Sequence, residues 1–118
     1  MLFSVVARDS KGRRNLTNLL LSLYPGCVVY ELEEPVDIAP CLREHALDAV
    51  FWELTRDDSQ DLSYLNMIRT QHTDMFLLVC SEDDTLLDDA MWNGANMYCI
   101  KPLLPEQIQT ALETKQKA

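Results

Sequence analysis

The feature that most constrains the fold is the strict alternation of short apolar runs with longer amphipathic segments. The apolar runs predict five buried strands, over residues 2–7, 27–32, 48–54, 75–80 and 97–100, and the first of them is rich in β-branched residues. The segments between them place apolar side chains at helical spacing and predict helices over 13–23, 35–45, 61–71, 81–93 and from 105 onward. Because buried strands that alternate with helices pair in parallel, we expect a parallel sheet covered on both faces.

Local signals refine the predicted helices. Pro40 lies inside the second helix, where it predicts one irregular turn. Ser81 is predicted to cap the fourth helix, with Asp83 and Asp84 in its first turn. Gly94 follows the last apolar position of that helix and predicts its end.

The topology predicts where a functional site lies. Right-handed crossovers favour a flavodoxin-like (βα)5 doubly wound sandwich with strand order 2-1-3-4-5. In that order the winding reverses between strands 1 and 3, and sites form at the carboxyl ends of those strands. The two ends are Ala7-Arg8-Asp9 and Glu53-Leu54. We therefore expect the functional site to include residues from both segments.

Composition excludes several classes of function. A length of 118 residues predicts a single domain over 1–118, and a net charge of −9 argues against direct binding of nucleic acid. No apolar run approaches the ~20 residues that span a bilayer, and MLFSVVARDS lacks the features of a signal peptide. The four cysteines form no CxxC motif, so we expect reduced, buried thiols in a cytoplasmic protein.

Three segments of the chain match motifs of one known family. Residues 90–108, AMWNGANMYCIKPLLPEQI, resemble its pattern A-x-x-x-G-A-x-x-Y-x-x-K-P followed by a helix. DAVFWEL (48–54) resembles its third strand, and RRNLTNLL (13–20) resembles its first helix. Because this spacing extends over nearly the whole chain, the sequence resembles bacterial response-regulator receiver domains of the CheY-like type, in which the third strand carries a phosphoacceptor aspartate. The resemblance implies the receiver fold and a role in two-component signal transduction.

The chain departs from the family at the residues that carry phosphorylation. The resemblance implies an acidic pair that holds Mg²⁺ at the end of strand 1, but Ala7 and Arg8 occupy those positions. Glu53 replaces the phosphoacceptor aspartate, and Cys80 replaces the hydroxyl residue that ends strand 4. Residues 55–58 replace the family's Met-Pro-Gly loop. Lys101 is the one catalytic residue retained, and the bond that follows it is cis in the family.

These exchanges predict a degenerate site without metal. The charges of Arg8, Asp9, Glu53 and Lys101 sum to about zero, so a site that gathers carboxylates around a hard cation is not expected. The extra methylene of Glu53 moves its carboxylate by roughly 1 Å, which misplaces a nucleophile for in-line transfer. We therefore expect no metal, no cofactor, no enzymatic activity, and an ion pair between Glu53 and Lys101 or Arg8. Asp9 could serve as the acidic partner only if strand 1 slipped by one residue, against its apolar register.

Trp92 is the strongest candidate for an interface residue. Its helical phase points away from the sheet, and an exposed indole is a typical interface anchor. Tyr98, Leu103 and Leu104 are predicted to extend the apolar surface. The alternative is an indole that packs on Tyr98 or on the last helix. Trp52 lies on strand 3 and is expected in the core.

The leading hypothesis is a pseudo-receiver that acts in transcription regulation through protein contacts. The resemblance implies a homodimer or a partner complex through helix 4, strand 5 and helix 5, and an output domain outside this chain that contacts DNA. Residues 113–118 are then expected to begin the linker, as a polar tail after the last helix. Two alternatives remain: residual phosphorylation on Glu53 or Asp9, and a small-ligand sensor at the switch point. The absence of a Gly-rich loop after strand 1 argues against a nucleotide ligand.

Overall fold

A computed structural model describes residues 1–54, 59–82 and 84–117. Its strands pair in parallel in the order β2-β1-β3-β4-β5, which confirms the predicted topology and fold class. The elements follow one another as β1 (Leu2–Val6), α1 (Ser10–Leu23), β2 (Val28–Leu32), a 3₁₀ turn (Pro35–Asp37), α2 (Ile38–Glu44), β3 (Ala49–Glu53), α3 (Ser59–Gln71), β4 (Leu77–Ser81), α4 (Leu87–Trp92), β5 (Met97–Ile100) and α5 (Pro105–Lys117). Residues 55–58, where the family's loop is replaced, lie outside the described residues.

Two apolar cores form because successive strand residues point to opposite faces of the sheet. Phe3 and Phe51 pack with Leu20 and Ile108 on the face that α1 and α5 cover. Trp52 and the opposite set of strand residues pack under α2, α3 and α4, and Trp52 is fully buried as expected. The four cysteines are buried and unpaired, as the sequence predicted.

The second helix is shorter than predicted and begins with a 3₁₀ turn over Pro35–Asp37. Pro40 is the third residue of α2, where a helix has no partner for the missing N–H, so it does not interrupt the hydrogen bonds. The apolar residue Val36, in the 3₁₀ turn, is 53% exposed. Pro35 and Ile38 are buried instead.

The predicted start of the fourth helix is wrong. Ser81 is buried and ends β4, where it pairs with Ile100 of β5, so it does not cap a helix. The helix begins at Leu87, and Asp84 precedes it, while Asp83 lies outside the described residues. Strand β4 extends one residue beyond the apolar run, so the residue proposed as the helix cap belongs to the strand. The predicted end is confirmed, because Gly94 follows α4 with a positive φ of 114°.

The segment expected to be a polar tail after the last helix is mostly helical. Residues 113–117 of that segment continue α5, which ends at Lys117. The role of residues 113–118 as the start of a linker stays a prediction. Within the described ranges, no helix is long and apolar enough to cross a membrane.

Candidate functional site

The carboxyl ends of β3 and β5 bring Glu53 and Lys101 into contact. Lys101 Nζ donates a hydrogen bond of 2.8 Å to Glu53 Oε1, which confirms the ion pair predicted at this position. The Glu53 side chain is 9% exposed and that of Lys101 is 26% exposed. The backbone N–H of Lys101 donates to the carbonyl of Ser81 at 2.8 Å, which fixes the start of the β5–α5 connection. The Lys101–Pro102 peptide bond is cis, as the resemblance implied.

Arg8 pairs with Asp61 rather than with Glu53. Its Nη1 and Nη2 donate to the two oxygens of the Asp61 carboxylate at 2.8 and 2.9 Å, and its Nε lies 3.2 Å from Glu34 Oε2. The Asp61 side chain is fully buried, whereas that of Arg8 is 35% exposed. Arg8 therefore connects the end of β1 to the first turn of α3 through a two-bond contact, the strongest geometry for such a pair.

Asp61 is the site residue that the sequence reasoning missed. It lies four residues before Leu65 and seven before Ile68, so it shares their buried helix face. A carboxylate at a core position of an amphipathic helix requires a cationic partner, because an unpaired buried charge is costly. That phase signal was present in the sequence. With Asp61 and Glu34 added, the site holds more carboxylates than the neutral count suggested.

Asp9 acts as a helix cap. Its Oδ2 accepts a hydrogen bond of 3.0 Å from the N–H of Gly12, in the first turn of α1. A Cβ on Gly12 would lie 3.0 Å from Glu53 Oε2 and 3.1 Å from Asp9 Oδ2. The second oxygen of Glu53 thus lies against the start of α1, where backbone N–H groups favour negative charge. The glycine supplies the space that this longer side chain occupies.

Ala7 belongs to the backbone framework of the site. It is buried, its N–H donates to the carbonyl of Leu32 at 3.1 Å, and its carbonyl accepts from Arg13 Nη1 at 2.7 Å. With a methyl side chain it contributes no ligand. The backbone of Ala7 therefore connects the end of β1 to β2 and to α1.

Cys80 and Lys101 respond to the Glu53 charge in different ways. Burial, and then the charge of Glu53, raise the pKa of the Cys80 thiol to about 12. Cys80 is opposite Glu53 in the parallel ladder, so its sulfur remains a protonated thiol at neutral pH. Burial alone would lower the pKa of Lys101, but the hydrogen bond and charge of Glu53 outweigh it and raise the pKa above its ordinary value. Lys101 therefore stays charged in the ion pair.

A cavity of about 160 Å³ lies beside the ion pair. Leu16, Leu19 and Leu103 form apolar walls, and Glu53, Cys80 and Lys101 also line it. The cavity opens between α1 and the β5–α5 connection. It is the part of the site that has space for a small apolar group.

The residues present do not fit a divalent metal ion. Three described carboxylates near the switch point already have a donor: Glu53 has Lys101, Asp61 has Arg8, and Asp9 has the N–H of Gly12. Among residues 1–54, 59–82 and 84–117, no group of three or more His, Cys, Asp or Glu side chains is arranged to hold a metal. A Mg²⁺ ion needs several free oxygen ligands, and these contacts leave too few.

The predicted interface residues divide into exposed and core positions. Trp92 is 88% exposed and Leu104 is 50% exposed. Tyr98 and Leu103 are half-buried and pack against the two cores, so they contribute less surface than expected. Leu87, Met91 and Ile100, which the sequence reasoning did not include, are 39–43% exposed and add to the apolar surface around α4 and β5.

Structural comparison relates this geometry to solved proteins. A scan of protein-family models and a search of curated proteins give no match. Many solved structures match this chain, including three that align with almost all of it. A response-regulator receiver domain protein from Clostridium thermocellum has a TM-score of 0.82 at 19% identity, over 98% of this chain and 94% of the other. A pilus assembly-related protein from Burkholderia pseudomallei has a TM-score of 0.87 at 19% identity, over 99% and 90%.

The third structure is NtrX from Brucella abortus in complex with ATP, with a TM-score of 0.81 at 19% identity. The match covers 98% of this chain but 27% of NtrX, so the shared fold is one part of a longer protein there. At these identities the likeness concerns the fold. Taken with the strand order and the position of the switch point, it establishes that this chain has the fold of response-regulator receiver domains.

Proposed function

We propose that this domain is a receiver-like signalling module that acts through protein contacts without phosphorylation of an aspartate. The observation that carries the proposal is the 2.8 Å ion pair between Lys101 Nζ and Glu53 Oε1 at the position of the phosphoacceptor. Glu53 is then a built-in anion that occupies Lys101 permanently. The domain is held in one state, and its output depends on concentration or on a partner.

The two ion pairs explain why phosphoryl transfer is not expected. Transfer requires a metal and a free, well-placed nucleophile. The Glu53 carboxylate is already hydrogen-bonded and nearly buried, and Arg8 places a permanent cation where the resemblance implies a metal ligand. The domain is therefore proposed to be non-enzymatic.

The face formed by α4, β5 and α5 is proposed as the contact surface, for a partner or for a second copy. Trp92 projects from it with most of its side chain exposed. NtrX shows that a domain of this fold occurs within a longer chain. By analogy we propose a cytoplasmic role in transcription regulation, in which any DNA contact is made by another domain.

The test is exposure of the protein to acetyl phosphate and Mg²⁺, followed by measurement of its intact mass. A receiver domain that accepts phosphate from this donor serves as the positive control. We expect no phosphoryl adduct on the wild type. A stoichiometric adduct that disappears in Glu53→Gln would refute the proposal and establish residual phosphoacceptor activity. Mapping the adduct to Asp9 would refute it equally.

The cavity beside the ion pair favours one second candidate, a small-ligand sensor. Its apolar walls suit a compact apolar group, with Glu53 and Lys101 available for a polar end. A ligand that binds the folded state raises the melting temperature. A thermal-shift panel compared between wild type and Leu19→Trp, which fills the cavity, distinguishes this candidate from the signalling module.

A further inference from the structure

We propose that the occupant of the α4–β5 surface is a basic, amphipathic segment of another protein rather than a second copy of this chain. The surface is defined by Leu87, Met91, Trp92 and Ile100, which are the exposed apolar residues of α4 and β5. This inference rests on the proposed function, because it names the partner for the same contact face. Its test uses binding, so it can fail while the absence of phosphorylation holds.

The apolar part of the surface has the composition of an interface centre. Trp92 is 88% exposed at the last turn of α4, and Leu87 and Met91 are one turn apart on the same helix. Ile100 ends the edge strand β5 and shares its sheet face with Tyr98, which packs in the core that α4 covers. Several exposed apolar side chains on neighbouring elements, with a tryptophan among them, are typical of binding sites.

Exposed carboxylates predominate in the segment that forms this surface. The stretch from residue 70 to residue 100 contains no lysine or arginine. Glu82, Asp84, Asp88 and Asp89 are all exposed within it. Among the described residues, Asp84, Asp88 and Asp89 have no ion pair. The surface therefore presents an apolar centre with an acidic rim.

Two described cations lie next to this surface. Lys101 is paired with Glu53 at 2.8 Å. Arg69 donates to the backbone carbonyls of Gly94 and Thr73, at 2.8 and 3.0 Å, and so lies against the turn after α4. The exposed, described residues of α5 between Glu106 and Thr114 include no lysine or arginine. Among the described residues, the four exposed carboxylates therefore outnumber the cations beside this face.

A symmetric dimer through this surface would bring like charges together. In a two-fold interface the same patch contacts itself, so the acidic rim of one copy would face the acidic rim of the other. Like-charge juxtaposition lowers affinity and suppresses wrong partners. In a segment with lysines or arginines flanking apolar side chains, the cations can pair with the acidic rim while the apolar side chains pack on the apolar centre. Charge complementarity therefore selects the basic partner.

The experiment measures binding of a synthetic probe, a fluorescein-labelled amphipathic helix of leucine and lysine, by fluorescence anisotropy. The same peptide with glutamate in place of lysine controls for apolar binding alone. We expect saturable binding of the lysine peptide, weaker at higher salt, and no binding of the glutamate peptide. Sedimentation of the free protein is expected to give a monomer.

Variants connect the binding to this surface. Asp88→Asn with Asp89→Asn is expected to weaken binding of the lysine peptide by about tenfold, which lies within the range for the loss of two exposed pairs. Trp92→Ala is expected to weaken it at least as much. The matched control, Asp37→Asn with Glu44→Gln, removes the same charge from α2 and its preceding turn and should leave the affinity unchanged.

Three results would overturn the proposal. The first is no saturable binding of the lysine peptide. The second is an equal loss of affinity in the α2 control, which would indicate attraction by net charge alone. The third is a wild-type dimer that Trp92→Ala converts to a monomer, which would assign the surface to a second copy. Unchanged melting of each variant excludes unfolding as the cause of a lost affinity.

Discussion

Removal of Arg8 should destabilise the domain much more than removal of its partner Asp61. Arg8→Met retains the aliphatic stem but leaves the fully buried Asp61 carboxylate without its two-bond partner. Breaking a buried pair in this way costs about 3–5 kcal/mol. Because the Arg8 side chain is 35% exposed, water reaches the pair, and we expect a loss near 3 kcal/mol at neutral pH.

Removal of Asp61 instead of Arg8 leaves the positive charge of the pair without this partner. Asp61→Leu leaves a guanidinium that is partly exposed and still 3.2 Å from Glu34, so it keeps a partner and some hydration. Leucine also suits the buried face that residue 61 shares with Leu65 and Ile68. We therefore expect a loss of about 1 kcal/mol or less, as for an exposed pair.

The double variant should recover most of the stability lost in Arg8→Met, because no buried charge is then unpaired. The assay is urea unfolding followed by circular dichroism at pH 7, with the free energy taken by linear extrapolation. Arg14→Met is the control: Arg14 pairs with Glu31 at 3.0 Å, but its side chain is 62% exposed, so about 0–1 kcal/mol is expected. Equal losses in the two single variants, or additive losses in the double variant, would refute the reasoning.

Three other predictions concern the Glu53 site. Glu53→Gln should lower the free energy of unfolding at pH 7, because Lys101 loses its countercharge. The folded-state pKa of Lys101 is raised, so the stability that the ion pair contributes is lost as the pH rises through that pKa. In urea titrations from neutral to strongly alkaline pH, the difference in free energy of unfolding between wild type and variant should therefore close. A gap that stays constant would contradict the ion pair. Cys80, with a pKa of about 12, should be the slowest thiol to react with iodoacetamide in the native protein, as read by peptide mass mapping; rapid labelling would mean that the site opens. Millimolar Mg²⁺ should give no saturable heat of binding by calorimetry, and saturable binding lost in Glu53→Ala would show a metal site after all.

The sheet could be predicted because each of its strands coincides with a short apolar run in the sequence. Burial on both faces leaves almost no polar residue in β3 or β4, and the strand order then follows from right-handed connections. The contact between Glu53 and Lys101 could be predicted for the same reason. Glu53 ends β3 and Lys101 directly follows β5, and the carboxyl ends of these parallel strands lie at one edge of the sheet.

The choice of partner for Arg8 depends on distances that a sequence does not contain. Three carboxylates, those of Glu34, Glu53 and Asp61, come from separate segments near the same edge. Packing of α3 on the sheet brings Asp61 within 2.8 Å of the guanidinium, and Lys101 engages Glu53. Helical phase places residue 61 on the buried face of α3, but a search for apolar positions overlooks a charged residue such as Asp61 on that face. The start of α4 was predicted wrongly because a serine is compatible both with a helix cap and with the end of a strand, and Ser81 ends β4.

Gly12 makes residues 12 and 53 depend on each other for space. A Cβ at residue 12 would lie 3.0 Å from Glu53 Oε2 and 3.1 Å from Asp9 Oδ2, so the ends of these two side chains would have to move by a few tenths of an ångström. Glycine therefore removes a crowding contact that alanine would impose beside the ion pair with Lys101. Among proteins that share this fold, we expect glutamate at the acceptor position to occur with glycine in the first turn of the first helix more often than aspartate does.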